Sequence, residues 1–104
     1  MSVNFFPKGI TGLPGFDGPF DAYQLNAENC KVLFASYPAG TVIDQHTHPT
    51  ENYGVITAGE LILATDQGEQ RFGVGDWYHL LPEQPHAARF EADSAEIEFW
   101  FDVI

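Results

Sequence analysis

The chain has 104 residues and carries 15 Asp plus Glu against 4 Lys plus Arg, a formal charge of −11 with histidines neutral. That length supports one domain with one core, burying roughly two thirds of its unfolded surface, and a content of 44% hydrophobic and 14% aromatic residues excludes wholesale disorder. So acidic a surface repels phosphate backbones and anionic head groups, which excludes nucleic acid and anionic membranes as partners.

In chain order, Met1-Ser2-Val3-Asn4-Phe5-Phe6-Pro7 lacks the cationic start and long apolar run of a leader. No apolar stretch approaches the roughly 20 residues that span a bilayer, so the expected location is the cytoplasm. Gly12, Pro14, Gly15 and Gly18 break up the next stretch, and residues 1–19 read as an irregular lead-in to one domain over 20–104. Short runs rich in aromatic and β-branched residues follow: 20–25, 31–37, 41–47, 52–57, 60–65, 69–74, 76–81, 87–92 and 95–103. Between them stand turn signals such as Pro38-Ala39-Gly40, Ala58-Gly59 and Asp66-Gln67-Gly68. Short strands at this spacing predict an all-β, antiparallel sandwich or barrel with little or no helix.

One stretch has two readings. Phe20, Tyr23, Ala27, Cys30, Phe34 and Tyr37 fit a helical stripe, but Asn26 and Asn29 favour a turn between two strands, and the all-β neighbourhood decides for strands. Cys30 is the single cysteine; it excludes an intrachain disulfide and a Cys-based zinc site and reads as a buried small hydrophobe. In the last run Ile97, Phe99, Phe101 and Val103 alternate with Glu96, Glu98, Trp100 and Asp102. That alternation predicts a half-buried strand with its charges outward.

The chemistry concentrates in the histidines. His46 and His48 stand two apart, and on a strand residues so spaced share one face, as two imidazoles need to hold one metal ion. Asn52 follows at the same parity and Glu51 at the opposite one. His86 opens a later run after Pro85, and distant histidines converge only if the sheet curls back on itself. His79, between Tyr78 and Leu80, reads as an interior histidine with satisfied hydrogen bonds, or alternatively as a proton carrier beside the site. Arg71 reads as a surface ion-pair member, and Arg89, at odd spacing from His86, faces away from the site.

These residues resemble the cupins. Gly40, His46, His48 and Gly59 match the first family motif, with Asn52 at the position of its glutamate. Gly75, Asp76, Pro85 and His86 match the second, while Leu81, Glu83 and Phe90 depart from its Pro, Gly and Asn. The matching stretch, Gly40 to Phe90, is about half of the chain. The resemblance implies a jelly-roll barrel, or double-stranded β-helix, with a divalent ion (Fe, Mn, Ni or Zn) held by His46, His48, Asn52 and His86. An amide at position 52 is a neutral and weaker donor than a carboxylate, and Glu51 is an alternative carboxylate. The expected function is that of a metal-dependent enzyme acting on a small molecule, of the oxygenase, isomerase or cyclase type. The alternative is a metal-free barrel that binds or senses a sugar or small acid. Small cupins often pair edge to edge, so the aromatic-rich last run, taken as an edge strand, predicts a homodimer.

Overall fold

A computed structural model describes residues 5–103; the expectations placed on Met1 to Asn4 and on Ile104 lie outside it. A short helix α1 (Lys8–Thr11) precedes nine strands: β1 (Asp21–Ala27), β2 (Cys30–Tyr37), β3 (Thr41–His46), β4 (Glu51–Ala58), β5 (Glu60–Thr65), β6 (Gly68–Gly73), β7 (Trp77–Leu80), β8 (His86–Phe90) and β9 (Ser94–Phe101). They form two antiparallel sheets, ordered β1-β2-β9-β4-β7 and β3-β8-β5-β6. This is the antiparallel all-β arrangement that the turn spacing predicts, in the jelly-roll form that the resemblance implies.

The ambiguous stretch is a hairpin. β1 and β2 pair through a turn in which Asn29 takes φ 58°, a conformation asparagine tolerates better than most residues. At the β4–β5 turn only glycine fits: Gly59 has φ +71°, and a Cβ there would lie 2.2 Å from the Ser94 hydroxyl and 2.6 Å from the Asp93 carbonyl. Between the sheets pack Ala35, Tyr37, Ile56, Leu61, Leu63, Tyr78, Leu80 and Phe90, with the Tyr37 and Phe90 rings stacked at 4.1 Å.

Two expectations about β9 fail. First, it is a central strand, flanked by β2 and β4, so the edge contact invoked for a homodimer does not exist. Second, its faces are reversed. Glu96 and Glu98 are 2% and 6% exposed, while Ile97 and Phe99 are half-buried and Phe101 is exposed. The register is the reason: Glu98 lies opposite Leu33 and Gly54, and Glu96 opposite Ala35 and Ile56. All four of these residues belong to the interior-facing set of β2 and β4, so the pleat turns the acids inward with them.

His79 also departs from expectation. Buried Tyr78 and Leu80 take the inner face of β7, which places Trp77 and His79 outside. There His79 bonds Glu51 Oε2 at 2.6 Å and stacks on Tyr53 at 4.3 Å. Arg71 pairs with Glu60 at 2.6 Å and Arg89 with Glu69, both on the surface. Cys30 is half-buried, and burial together with the Asp102 charge pushes its thiol up.

Candidate metal centre and its cavity

His46 ends β3 and lies directly opposite His86, the first residue of β8; the register slips between Ile43 and His46. Such an irregularity re-aims a side chain at a sheet margin. His48 lies just past the end of β3, so strand parity alone does not orient it. The turn before β8 does: the Glu83 N–H donates to the His48 carbonyl at 2.7 Å. In this way the two motif hairpins meet.

The three rings form one cluster. Centroid separations are 4.7 Å for His46–His48, 4.2 Å for His46–His86 and 5.1 Å for His48–His86, and one ring nitrogen from each lies within 4.8 Å of the others. The His46 Nδ1–H donates to the Asp44 carbonyl at 2.7 Å, and the His86 Nδ1–H to the Gln84 carbonyl at 2.9 Å. Each bond fixes the tautomer with a lone pair on Nε2. Burial, reinforced by the neighbouring histidines, lowers His48 to about 4. Burial lowers His86 as well, against the pull of its bond to Gln84. Both rings are therefore neutral at pH 7.

This donor set suits a divalent ion. His46 Nε2 and His48 Nε2 are 3.0 Å apart, and two nitrogens each ~2.1 Å from an ion at a right angle are separated by ~3.0 Å. Asn52, 4% exposed, lies on β4 between Leu80 and Trp100 and borders the same cavity. Its Oδ1 accepts the Thr50 hydroxyl at 2.6 Å. Glu51 is committed to His79 on the outer face.

The histidines open onto a cavity of about 390 Å³, within the range of small-molecule pockets. Apolar residues such as Leu61, Leu63, Leu80 and Phe90 make up much of its wall, and no Lys or Arg borders it among the described residues. The polar part of that wall is what the sequence reading missed. The Tyr37 hydroxyl donates to Glu98 Oε2 at 2.5 Å, Trp100 Nε1–H donates to Glu98 Oε1 at 3.0 Å, and the Tyr78 hydroxyl donates to Glu96. Glu96 and Glu98 also hydrogen-bond each other. Burial, and then the charge of Glu98, holds the Glu96 carboxyl well above the usual range. Burial raises Glu98 too, opposed by the hydrogen bonds it accepts from Tyr37 and Trp100. Gly54 makes the arrangement possible, since a Cβ there would lie 2.2 Å from the Tyr78 ring. Trp100 joins the two poles of the cavity, its ring 4.5 Å from that of His48.

Residues 33–104 match the family model described as Cupin domain. The fold is similar to that of a DMSP lyase, DddQ, from Ruegeria pomeroyi DSS-3, at TM-score 0.74 and 24% identity, with 82% of this chain and 48% of that one covered. This chain thus spans about half the length of that lyase. KdgF from Halomonas sp. aligns at TM-score 0.77 and 16% identity over 97% of this chain and 96% of its own. An RmlC-like cupin from Shewanella frigidimarina aligns at 0.78 and 16%, over 98% and 93%. No curated protein matches the chain.

Proposed function

The chain belongs to the cupin domain family, and on that premise we propose that it is a metal-dependent enzyme acting on a small molecule, with His46, His48 and His86 as ligands and Asn52 beside them. The observation that carries this reading is the convergence of three imidazoles, two of them with backbone-fixed tautomers, on the wall of one cavity. Accidental polar residues at a barrel mouth have no need of fixed tautomers. A bound divalent ion supplies Lewis acidity, stabilising negative charge on a carbonyl or hydroxyl oxygen of the ligand.

The protein's own contribution is orientation, exclusion of water and a place for a proton. Leu61, Leu63 and Phe90 exclude water from the inner end of the cavity. Asn52 offers an amide to a ligand oxygen. Proton movement falls to the Tyr37, Tyr78, Glu96 and Glu98 group, a hydrogen-bonded set of titratable side chains that lines the same space; His79 lies outside it. Reactions that pass through an enolate or alkoxide suit this set: isomerisation, cyclisation, or elimination of the kind the lyase relative's name describes.

Elemental analysis of the purified protein and of His48→Ala tests the reading. Stoichiometric iron, manganese, nickel or zinc that is lost in the variant is the expected result. A wild-type protein that stays metal-free after exposure to each of these ions, yet binds a saccharide, overturns it in favour of the sensing barrel.

A further inference from the structure

Resting on the metal reading above, we propose that Glu98 supplies the negative charge that position 52 lacks, so that a carboxylate from β9 compensates the ion held by the three histidines. The cupin motif places its acid at position 52, where this chain has a neutral amide. Asn52 lies opposite Trp100 in the β4–β9 register, and Glu98 is the next inward-facing residue along β9. It borders the same cavity as the histidines, and Trp100 links the two, donating its indole N–H to Glu98 at 3.0 Å with its ring 4.5 Å from that of His48.

The stronger argument is what Glu98 lacks. It is 6% exposed, and its partners are a phenol, an indole N–H and another carboxyl group. Among the described residues it forms no ion pair. Lys31, on the adjacent strand, sits over the Trp100 ring at 5.8 Å instead. An anion buried without a cation is costly, because neutral donors replace only part of its lost hydration. Among the described residues, the group of three or more side chains placed to share one metal ion on this cavity is the imidazole cluster. Glu98 accepts from the Tyr37 hydroxyl and the Trp100 N–H where Glu96 accepts from Tyr78 alone, so of the two hydrogen-bonded carboxyls Glu98 is the better furnished to carry a charge. Trp100 keeps that charge in place, its indole N–H on Glu98 and its ring 4.5 Å from that of His48.

Calorimetric titration with zinc and with manganese tests the proposal on the full chain, with folding checked by circular dichroism. Glu98→Gln, which keeps shape but not charge, is expected to weaken binding about tenfold or more. Adding Asn52→Glu to that variant returns a carboxylate to the motif position and is expected to restore affinity to within about threefold of wild type. Undiminished binding by Glu98→Gln overturns the proposal, and so does a loss that Asn52→Glu leaves uncorrected in a folded protein. Should Glu98→Gln not fold, Glu98→Asp decides: retained affinity supports the charge role, and a tenfold loss overturns it. A wild-type protein that binds neither ion brings down the metal reading itself, a result distinct from all of these.

Discussion

The backbone N–H of Glu83 holds the carbonyl of His48 at 2.7 Å, so a turn of the second motif positions a side chain of the first. Glu83 does this at φ +61°, a left-handed conformation that costs an L-residue roughly 1–2 kcal/mol, at the position where the cupin pattern carries glycine. Glu83→Gly is expected to stabilise the protein by about 0.5–1 kcal/mol once glycine's own entropic cost is subtracted. Urea unfolding measures it, and a destabilised variant would show that the glutamate side chain matters in its own right.

Gly54 is expected to tolerate no side chain. Alanine there would press a methyl group against the Tyr78 ring, displacing the hydroxyl that Glu96 accepts. A loss of about 1–3 kcal/mol is expected from overpacking, again by urea unfolding. A neutral substitution would mean that Tyr78 has another place to go.

Stability should depend on pH through Glu96. Its folded value is raised, so the native state keeps a proton that the unfolded chain gives up above 4.5. Its contribution to stability is therefore complete at low pH and diminishes as pH rises toward the folded value, by up to about 1.4 kcal/mol per pH unit. Glu96→Gln lacks this dependence. Its melting temperature relative to wild type should climb between about pH 5 and pH 8, and a difference that stays flat over that range contradicts a protonated Glu96.

His79→Ala is expected to cost no more than about 1 kcal/mol, as befits an exposed pair, and to leave zinc affinity where it was. His48→Ala should abolish that affinity. Equal effects of the two substitutions would break the assignment of the three-histidine cluster.

Much of the fold is legible because turns are written in local chemistry. Pro38-Ala39-Gly40, Ala58-Gly59 and Asp66-Gln67-Gly68 each separate two strands, and nine runs picked from aromatic and β-branched content correspond to nine strands with ends moved by a few residues. The histidine cluster is legible for a different reason, a spacing shared with a known motif. The carboxyl pair is not. Alternation shows that a strand has two faces but not which of them is inside, and Ile97, Phe99 and Phe101 outweigh Glu96 and Glu98 on any hydropathy scale. What turns the acids inward is distributed over other strands: the hydroxyls of Tyr37 and Tyr78 and the space left by Gly54. One clue was present, since Trp100 shares the parity of the two acids and a tryptophan fits poorly on a charged outer face. His79 shows the complementary limit: its apolar neighbours Tyr78 and Leu80 mark the opposite side of the strand and say nothing of its own burial.

The outer wall of the first sheet carries the rings that the interior does not: Trp77, 57% exposed, stacked with Phe99, and Tyr53 against Phe101. A dye that fluoresces on apolar surfaces therefore finds a landing place on the native protein before any heating begins. Dye-based melting curves will start from a bright baseline that imitates partial unfolding, so circular dichroism is the sounder readout for the variants above.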